Sequence, residues 1–464
     1  MNTIWARGGA VFVAVVLCVL PFMLDWSGST LPVGGQRMLG IFLLSIVLWI
    51  TQCIPLHATA AVIILLEILL ISDQTLLTTL PDAPSFRSFF HALADPVLML
   101  FLGGFFIADG AAKFRLDRSL AGLLLRPFGR SPRTLMLGLM LITACFSMFM
   151  SNTATTATLM MVVLPVIRQL PPGHRMRSSL VLAIAVAANI GGMGTPIGTP
   201  PNAIAIAAMA KVGLRVSFLT WMLMMIPFML VLLMFAWMLL AGRRGSDGVE
   251  VAFEPSADFV KTPSALIYYA TTVFTIVLWL TEGVHGLSSS VVGFVPVTVL
   301  LATGVFSGHD LKGIDWQVLW LVAGGIALGQ GVGATGLDGW LISLVHWDQL
   351  GPRALVVVLV LVSLVMSTLI SNSATANLLV PIGLAMAMSP AVAMSPMIAG
   401  VMIAVGCSLA MALPTSTPPN AMAVSAGEVR MSQMAWVGIV VGAVGWLLFA
   451  LVAPVCWRLL GLLQ

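Results

Sequence analysis

The sequence predicts an all-α polytopic membrane protein with about 11 transmembrane helices, two re-entrant hairpins and two inverted repeats. Of its 464 residues, 59% are hydrophobic and only 8% are charged, whereas a soluble domain carries about 25% charged residues. This composition excludes a soluble enzyme, a nucleic-acid binder and a disordered chain, which needs low hydrophobicity and high charge. The apolar runs are continuous rather than alternating, which excludes a transmembrane β-barrel.

Long apolar segments recur along the whole chain, and a spanning helix needs about 20 such residues. The candidate spans are residues 8–25, 37–55, 57–72, 95–112, 178–210, 216–241, 263–281, 290–306, 315–335, 397–425 and 432–462. The first could be a signal peptide after Arg7, but no small-x-small cleavage site follows it, so a span is expected. The five cysteines lie singly in apolar segments without a CxxC spacing, so neither a disulfide framework nor a metal site is expected.

The basic residues orient the chain, because Lys and Arg favour cytoplasmic loops. With a cytoplasmic N-terminus and eleven spans, 15 of the 21 Lys and Arg residues face the cytoplasm. The opposite orientation would place most of them outside. We therefore expect a multi-pass protein of the cell membrane, such as a bacterial inner membrane, with its N-terminus in the cytoplasm and its C-terminus outside.

The apolar segment 134–167 is anomalous, because basic residues flank both of its ends. Its 34 residues are too many for one span and few for two, and its middle reads Ser-Asn-Thr-Ala-Thr-Thr. We predict a re-entrant hairpin with a polar tip at membrane depth. Irregular backbone is tolerated there only when it is buried in protein or lines a wet cavity, so the tip should be part of a site.

The chain also contains an internal repeat, in which three blocks recur in the same order at separations of 221, 220 and 218 residues. The matching residues are Gly103, Gly104, Gly110, Leu116 and Asp117 with Gly324, Gly325, Gly331, Leu337 and Asp338; Ser147, Ser151, Asn152, Ala154 and Thr155 with Ser367, Ser371, Asn372, Ala374 and Thr375; and residues 199–203 with residues 417–421, both Thr-Pro-Pro-Asn-Ala. The slowly drifting separation indicates duplication followed by small insertions and deletions.

The repeat predicts how the chain is organised. The expected parts are an N-terminal span and loop at 1–36, a first repeat at 37–241, a polar cytoplasmic linker at 242–262 and a second repeat at 263–464. Each repeat holds five spans, an odd number, so the second copy must be inverted, as in many secondary transporters. The second hairpin is then 354–389, and the overlong spans 178–210 and 397–425 are broken helices.

The hairpin tips offer oxygen ligands. Ser147 precedes Ser151 by four residues, and the second tip repeats this spacing, so a helix places both hydroxyls on one face beside the Asn that follows. Hydroxyl, amide and free carbonyl oxygens suit a hard cation such as sodium, because no carboxylate is present. The alternative, that these small residues only pack helices together, is disfavoured by their duplication at inverted positions.

The Thr-Pro-Pro-Asn blocks should break the overlong spans, because two prolines remove two backbone donors. Freed carbonyls can bind a cation, and the N-terminus of the next half-helix can bind an anion. Glu67 and Asp109 are isolated acids that could carry protons. Asp109 matches Gln330 in the other repeat, so it belongs to no symmetric site. The paired glycines are expected to pack helices closely.

At these residues the sequence resembles the divalent anion:sodium symporter family, whose members carry di- and tricarboxylates and sulfate. The motifs are Ser-Asn-Thr at 151–153 and Ser-Asn-Ser at 371–373, each followed by Thr-Pro-Pro-Asn, and the resemblance covers nearly the whole chain. The family has Thr where Ser373 stands, so this position keeps the hydroxyl and lacks a methyl group. The resemblance implies a homodimer in which a scaffold domain holds a transport domain that moves as a rigid elevator.

The resemblance also implies the site residues. One sodium ion would be bound by Ser147, Ser151, Asn152 and the Gly198 carbonyl, and a second by Ser367, Asn372 and the carbonyls of Ile370 and Ser416. The substrate would contact Asn152, Thr153, Asn372, Ser373, Thr417 and Pro418. No cofactor other than sodium is implied.

Together these observations favour a secondary carrier for a small dianion, a C4-dicarboxylate such as succinate, coupled to sodium ions. Sodium-independent exchange, proton coupling, and transport of citrate or sulfate are the alternatives. A channel is disfavoured because channel pores usually come from rings of identical subunits or charged residues. An enzyme is disfavoured because the chain has no HExxH, no GxSxG and no paired intramembrane acids.

Overall fold

The structure is a computed structural model that describes residues 2–24, 26, 30–128, 131–171, 173–242, 259–344, 351–390, 392 and 394–462. All regular secondary structure in these residues is helical, which confirms the predicted all-α class. Most of the predicted linker, residues 243–258, lies outside the described residues, as does the C-terminal Gln464. The predicted domain boundaries and the orientation of the termini stay predictions.

Eleven α-helices of the described residues precede the linker. They are α1 (Asn2–Met23), α2 (Val33–Thr51), α3 (Leu56–Ile71), α4 (Phe86–His91), α5 (Pro96–Lys113), α6 (Leu116–Leu125), α7 (Pro132–Ser147), α8 (Asn152–Ile167), α9 (Arg175–Gly191), α10 (Pro200–Lys211) and α11 (Phe218–Ala241). Proline stands in the first turn of α5, α7 and α10, where its missing N–H breaks no helical hydrogen bond.

Twelve α-helices follow the linker in the part of the chain that the structure describes. They are α12 (Pro263–Leu280), α13 (Glu282–His285), α14 (Ser289–Ala302), α15 (Gly308–Gly313), α16 (Trp316–Ala334), α17 (Leu337–Ser343), α18 (Pro352–Leu369), α19 (Asn372–Met388), α20 (Pro396–Ser408), α21 (Pro418–Ser425), α22 (Met431–Leu447) and α23 (Ala453–Leu459). A π-helical turn at Leu448–Val452 joins the last two.

Eight helical segments of the described chain are long and apolar enough to cross a membrane, and six shorter apolar helices accompany them. The arms of the hairpins are α7, α8, α18 and α19. Eleven spans remain when these arms and the short helices α4, α6, α13, α15 and α17 are set aside, and when α9–α10, α20–α21 and α22–α23 each count as one span. The number of spans therefore agrees with the prediction from the sequence.

The two hairpins lie within two residues of their predicted bounds, at residues 132–167 and 352–388. Their tips, near residues 151–153 and 371–373, line the same cavity. Segments whose tips meet inside the protein cannot each reach the far side of a membrane. The long apolar arm α18 would pass as a span by length and composition alone, but it ends at this shared cavity.

The helices form two packed groups. In the first, which we call the hairpin group, α7 to α10 pack with α18 to α21. In the second, which we call the crossing group, α5 packs on α14, α16 packs on α3, and the neighbouring helices α2 and α12 lie against them. Each group takes equivalent helices from both repeats, as inverted duplication predicts.

The crossing group depends on glycine. A Cβ added at Gly103 of α5 would overlap the backbone of Gly293 on α14, and one added at Gly324 of α16 would overlap Ala60 on α3. The crossing of α5 with α14 and the equivalent crossing of α16 with α3 are therefore possible only because Gly103 and Gly324 have no side chain. Each crossing joins a helix of one repeat to a helix of the other.

The next glycine along each of these helices faces the hairpin group instead. A Cβ at Gly104 would press on Ile197, in the unwound segment before α10, and one at Gly325 would overlap the Asn377 amide on α19. The helices α5 and α16 thus contact the crossing group on one face and the hairpin group on the adjacent face. This confirms the glycines as packing residues and shows why they occur in pairs.

Single cysteines can test the two hairpins. We expect cysteines at Ser131 and Arg168 to react with an impermeant maleimide from one side of the membrane, and cysteines at Arg353 and Met388 from the other side. The reason is that the arms of each hairpin return to one face, and the repeats are inverted. All four positions are exposed. Labelling is compared in inside-out and right-side-out vesicles, with the exposed Cys145 replaced by Ser.

Labelling of the Ser131 and Arg168 positions from opposite sides would contradict the re-entrant hairpin. Labelling of all four positions from one side would contradict the inversion of the repeats.

Candidate functional site

The two hairpin tips and the two helix breaks line one cavity of about 450 Å³. All six residues predicted to contact substrate lie on its wall: Asn152, Thr153, Asn372, Ser373, Thr417 and Pro418. The fold thus brings together side chains from both repeats that are far apart in the chain. Their contact with a substrate stays a prediction.

Three oxygens converge beneath the first tip. The hydroxyl of Ser147, which is fully buried, lies 2.6 Å from Asn152 Oδ1 and 2.8 Å from the Ala188 carbonyl oxygen at the end of α9. A serine hydroxyl has one proton and can donate to only one of these acceptors at a time. At any moment, either Asn152 Oδ1 or the Ala188 carbonyl oxygen therefore receives no proton from Ser147, and the three oxygens together can act as ligands of a cation.

The same arrangement recurs beneath the second tip. The buried Ser367 hydroxyl lies 2.8 Å from Asn372 Oδ1 and 2.8 Å from the carbonyl oxygen of Cys407, at the end of α20. Each group combines a hydroxyl, an amide and a backbone carbonyl oxygen. Neutral oxygens of this kind fit a hard monovalent cation, because they supply dipoles without the carboxylates that divalent ions prefer.

The other predicted sodium ligands lie close to these groups, with one exception. Ser151, Gly198 and Ser416 line the cavity beside the tips. Gly198 packs against the backbone of Gly192, where a Cβ would overlap the carbonyl. Ile370 is buried directly before the second tip, but it is not part of the described cavity wall. All four assignments stay predictions.

The Asn of each Thr-Pro-Pro-Asn block stabilises the helix break before it. The fully buried Asn202 donates from Nδ2 to the Gly192 and Thr195 carbonyl oxygens, at 3.0 and 2.8 Å. Asn420 binds two carbonyls of the second break in the same way, at 2.8 and 3.0 Å. These bonds satisfy backbone that has left the helix, which is the condition for irregular backbone at membrane depth.

Four helices begin at the cavity: α8, α10, α19 and α21. Their first residues, Asn152, Pro200, Asn372 and Pro418, all line it. Each helix N-terminus carries a partial charge of roughly +0.5, so the four together favour an anion. No Lys or Arg is among the lining residues that the structure describes. Any attraction of an anion to the tips therefore has to come from backbone dipoles and not from a lysine or an arginine of this wall.

The opposite wall of the cavity belongs to the crossing group and was not anticipated from the sequence. It includes Pro55 and His57 at the start of α3, and Asp315 and Gln317 at the start of α16. Pro55, Asp315 and Gln317 are exposed, so the cavity is open on this side. None of these residues belongs to the motifs at the tips or breaks, and only the folded chain brings them into the same cavity wall.

The carbonyls of Ala188 and Cys407 were also missed. A backbone oxygen has no residue-type signature, and these two positions carry unrelated side chains. One signal in the sequence could have indicated them. Both lie shortly before a predicted helix break, where the last carbonyls of a helix lose their hydrogen-bond partners.

The two isolated acids lie outside the cavity wall. Glu67 is fully buried on α3, and neither of its carboxylate oxygens has a hydrogen-bond partner among the described residues. Asp109 lies near the end of α5. Neither residue touches the tips or the helix breaks in the described cavity, and a role for either in proton transfer stays a prediction.

Comparison with protein families places the chain. A model of the citrate transporter family matches it over residues 46–406 and 276–462. These matches together cover most of the sequence, including both tips and both helix breaks.

Curated relatives agree with this match. A sodium-dependent dicarboxylate transporter, SdcS, of Staphylococcus aureus is 29% identical over 473 residues, which cover 94% of this chain and 88% of the relative. The SdcS of Staphylococcus saprophyticus is 28% identical, covering 86% and 82%. An uncharacterized transporter of Schizosaccharomyces pombe is 30% identical over 92% of this chain. The chain spans only 50% of the length of that yeast relative.

The fold also has a solved counterpart. The crystal structure of the Alcanivorax borkumensis YdaH transporter, described as having an unusual topology, aligns with a TM-score of 0.57 over 91% of this chain and 100% of its own, at 15% identity. At that identity the likeness concerns the fold alone. The matches together show that the chain belongs to the citrate transporter family and to the divalent anion:sodium symporters that its sequence resembles, and that it is a membrane transporter, not an enzyme.

Proposed function

We propose that the protein is a secondary active transporter that moves a small divalent organic anion, a C4-dicarboxylate such as succinate, together with sodium ions across a cell membrane. One observation carries the proposal: two equivalent oxygen clusters and four helix N-termini surround one cavity that has no basic residue other than His57 among its described lining residues. The staphylococcal relatives, named sodium-dependent dicarboxylate transporters, support the same substrate class and ion.

In this proposal each carboxylate of the substrate is held at one tip. The Asn152 and Asn372 amides and the hydroxyls of Thr153 and Ser373 donate to it, and the helix N-termini add their dipoles. Sodium ions in the two oxygen clusters supply the remaining positive charge. Each Asn then serves both ligands, with its Oδ1 towards the cation and its Nδ2 towards the anion.

The closest alternatives concern the substrate and the coupling. Transport of citrate is the second candidate, because the matching family model is that of citrate transporters. Sodium-independent exchange of dicarboxylates and transport of sulfate use the same kind of cavity. A thermal-shift series with succinate, citrate and sulfate, each with and without sodium, separates these possibilities.

We propose further that the hairpin group is the transport domain and that it moves as an elevator against the crossing group, which would act as scaffold and carry the contact of a homodimer. Three hydrogen bonds join the two groups at α16. Asn377 donates to the Leu321 carbonyl at 3.0 Å, and Lys211 Nζ donates to the Ile326 carbonyl at 3.2 Å. The third involves Gln330, whose amide, when oriented to satisfy its neighbours, accepts from Lys211 Nζ at 2.8 Å.

These bonds support a proposal about the state of the transporter. In the predicted orientation, Lys211 lies near the external face, whereas Pro55 and Asp315, at the open side of the cavity, lie near the cytoplasmic face. We propose that the contacts at α16 hold the tips closed to the external side while the cavity is open to the cytoplasm, which is an inward-open state.

The first prediction concerns coupling between substrate and sodium. Because both would bind beside the same Asn residues, we expect sodium to tighten succinate binding by about 5- to 150-fold, the usual range of a coupling of ~1–3 kcal/mol. Asn152→Ala and Asn372→Ala should each abolish binding of both ligands. Isothermal titration calorimetry at fixed ionic strength, with choline replacing sodium, measures the effect. Equal succinate affinity with and without sodium would refute the shared site.

The second prediction isolates one cation ligand. Ser367→Ala should raise the sodium concentration for half-maximal uptake by about three- to tenfold, because it removes one of the converging oxygens, and one such interaction contributes about 0.5–1.5 kcal/mol. The matched control is Ser363→Ala, one turn earlier on α18, where the buried hydroxyl donates only to the Leu359 carbonyl at 2.7 Å. Uptake by proteoliposomes is measured against sodium concentration. An equal response of both variants would argue against a sodium ligand at Ser367.

The third prediction tests the elevator. A flexible cross-link between cysteines at Lys211 and Gln330 should stop uptake, because it fixes the transport domain against α16 in one state, and reduction of a cleavable linker should restore it. A cross-link between cysteines at Arg177 of α9 and Glu428, in the loop directly after α21, should leave uptake intact, because these residues form an ion pair of 2.8 Å and Lys211 and Gln330 stay free. Full uptake with the first cross-link in place would rule out the relative motion.

A further inference from the structure

The wall of the cavity that faces the tips carries a negative charge. Asp315 is the N-cap residue of α16, yet its side chain accepts no capping hydrogen bond from the helix. It is exposed, and it lines the cavity that the tips Asn152 and Asn372 line from the other side. A free carboxylate is therefore placed opposite a site that is built to hold an anion.

Nearby charges do not cancel that of Asp315. Asp109 on α5 lies within electrostatic range of both Asp315 and Asp310. The adjacent cation, Lys113, is already engaged, since its Nζ lies 2.7 Å from Asp310 Oδ2 and 2.9 Å from the Val305 carbonyl oxygen. Among the described residues, Asp109 and Asp315 have no cationic partner within ion-pair distance. Lys312, three residues before Asp315, is also exposed but forms no ion pair with it among the described residues, so the Asp315 carboxylate stands unpaired at the cavity wall.

The wall formed by the tips and helix breaks differs from the wall that holds Asp315. It presents only neutral side chains and helix N-termini to the cavity. A substrate that places one carboxylate at each tip uses the favourable positions there. Any further negative charge on the same small molecule has to point away from the tips, towards the wall that holds Asp315. Unit charges of like sign repel by about 1 kcal/mol at 4 Å even in bulk water, and more beside a low-dielectric wall.

We propose that Asp315 is a specificity-determining residue that disfavours anions with a third negative charge, so that the carrier prefers dianions to trianions of the same shape. The inference rests on the proposed function, since it assumes that a dianion binds at the tips. Asp109 is close enough to Asp315 for their charges to interact but does not line the cavity, so it should contribute less. His57 is on the same wall, and a positive charge on its imidazole would reduce the effect.

The test compares two probes that differ by one charge. Tricarballylate and 3-methylglutarate share a five-carbon diacid, and the first carries a carboxylate where the second carries a methyl group. Each probe competes with labelled succinate for uptake by proteoliposomes at pH 8 and constant sodium. In Asp315→Asn, the inhibition constant of tricarballylate should fall about fivefold, the factor that corresponds to one like-charge repulsion of about 1 kcal/mol. The constants of 3-methylglutarate and succinate should change less than twofold.

Three further variants show whether the effect comes from the charge at position 315. Asp315→Glu retains the charge and should behave as the unmodified protein does. Asp82→Asn removes an exposed carboxylate that is not part of this cavity wall and should have no effect. Asp109→Asn should shift the tricarballylate constant in the same direction by about twofold. Normal succinate uptake with an unchanged ratio of the two inhibition constants in Asp315→Asn would overturn the proposal.

A second measurement needs no variant at position 315. Raising ionic strength with choline chloride screens exposed charges, so it should improve inhibition by tricarballylate relative to 3-methylglutarate in the unmodified protein. Absence of this change would also overturn the proposal, even if Asp315→Asn were inactive. Failure of the proposed function would look different, because the unmodified protein would then not take up succinate at all.

Discussion

The architecture depends on one constraint, namely that backbone which leaves the helical conformation inside a membrane must find hydrogen-bond partners within the protein. Both broken spans meet it with the side-chain amide of one Asn, which binds two carbonyls of the unwound segment. Both hairpins meet it with a buried Ser that connects its own tip to the neighbouring helix end. A buried polar group left without a partner costs about 1–3 kcal/mol. These few side chains therefore keep the two tips and the two breaks at one place.

The same constraint explains how the proposed anion site needs no lysine or arginine. Ending helices inside the protein creates N-termini, and four of them point to the cavity. Such dipoles are fixed by the fold and need no long, mobile side chain. Their sum suits a small dianion only if cations are close by, and the oxygen clusters beneath the tips have the composition to hold them. Linkage then makes the effect mutual, since an ion that aids the anion is aided by it equally.

Much of this could be predicted from the sequence, because inverted duplication shows each functional element twice. The Ser-Asn tips and the Thr-Pro-Pro-Asn breaks were visible as paired motifs, and the hairpin bounds agree with the structure within two residues. Other parts had no such signal. The Ala188 and Cys407 carbonyls are backbone atoms, and His57 and Asp315 belong to the crossing group, whose approach to the tips no motif in the sequence indicates. The contact of Lys211 with the Ile326 carbonyl of α16 joins two helices that no motif connects in the sequence.

The adjacent glycines on α5 and α16 have a kinetic consequence. The first glycine of each pair fixes the helix to its partner by close backbone contact, and the second leaves room that Ile197 or the Asn377 amide of the hairpin group fills. A side chain seated in such a recess has to leave it before two surfaces can slide, and each such step adds to the activation barrier. In the proposed elevator, the release of Asn377 from α16, with its hydrogen bond to the Leu321 carbonyl, would then limit turnover as much as the strength with which the carrier binds its cargo.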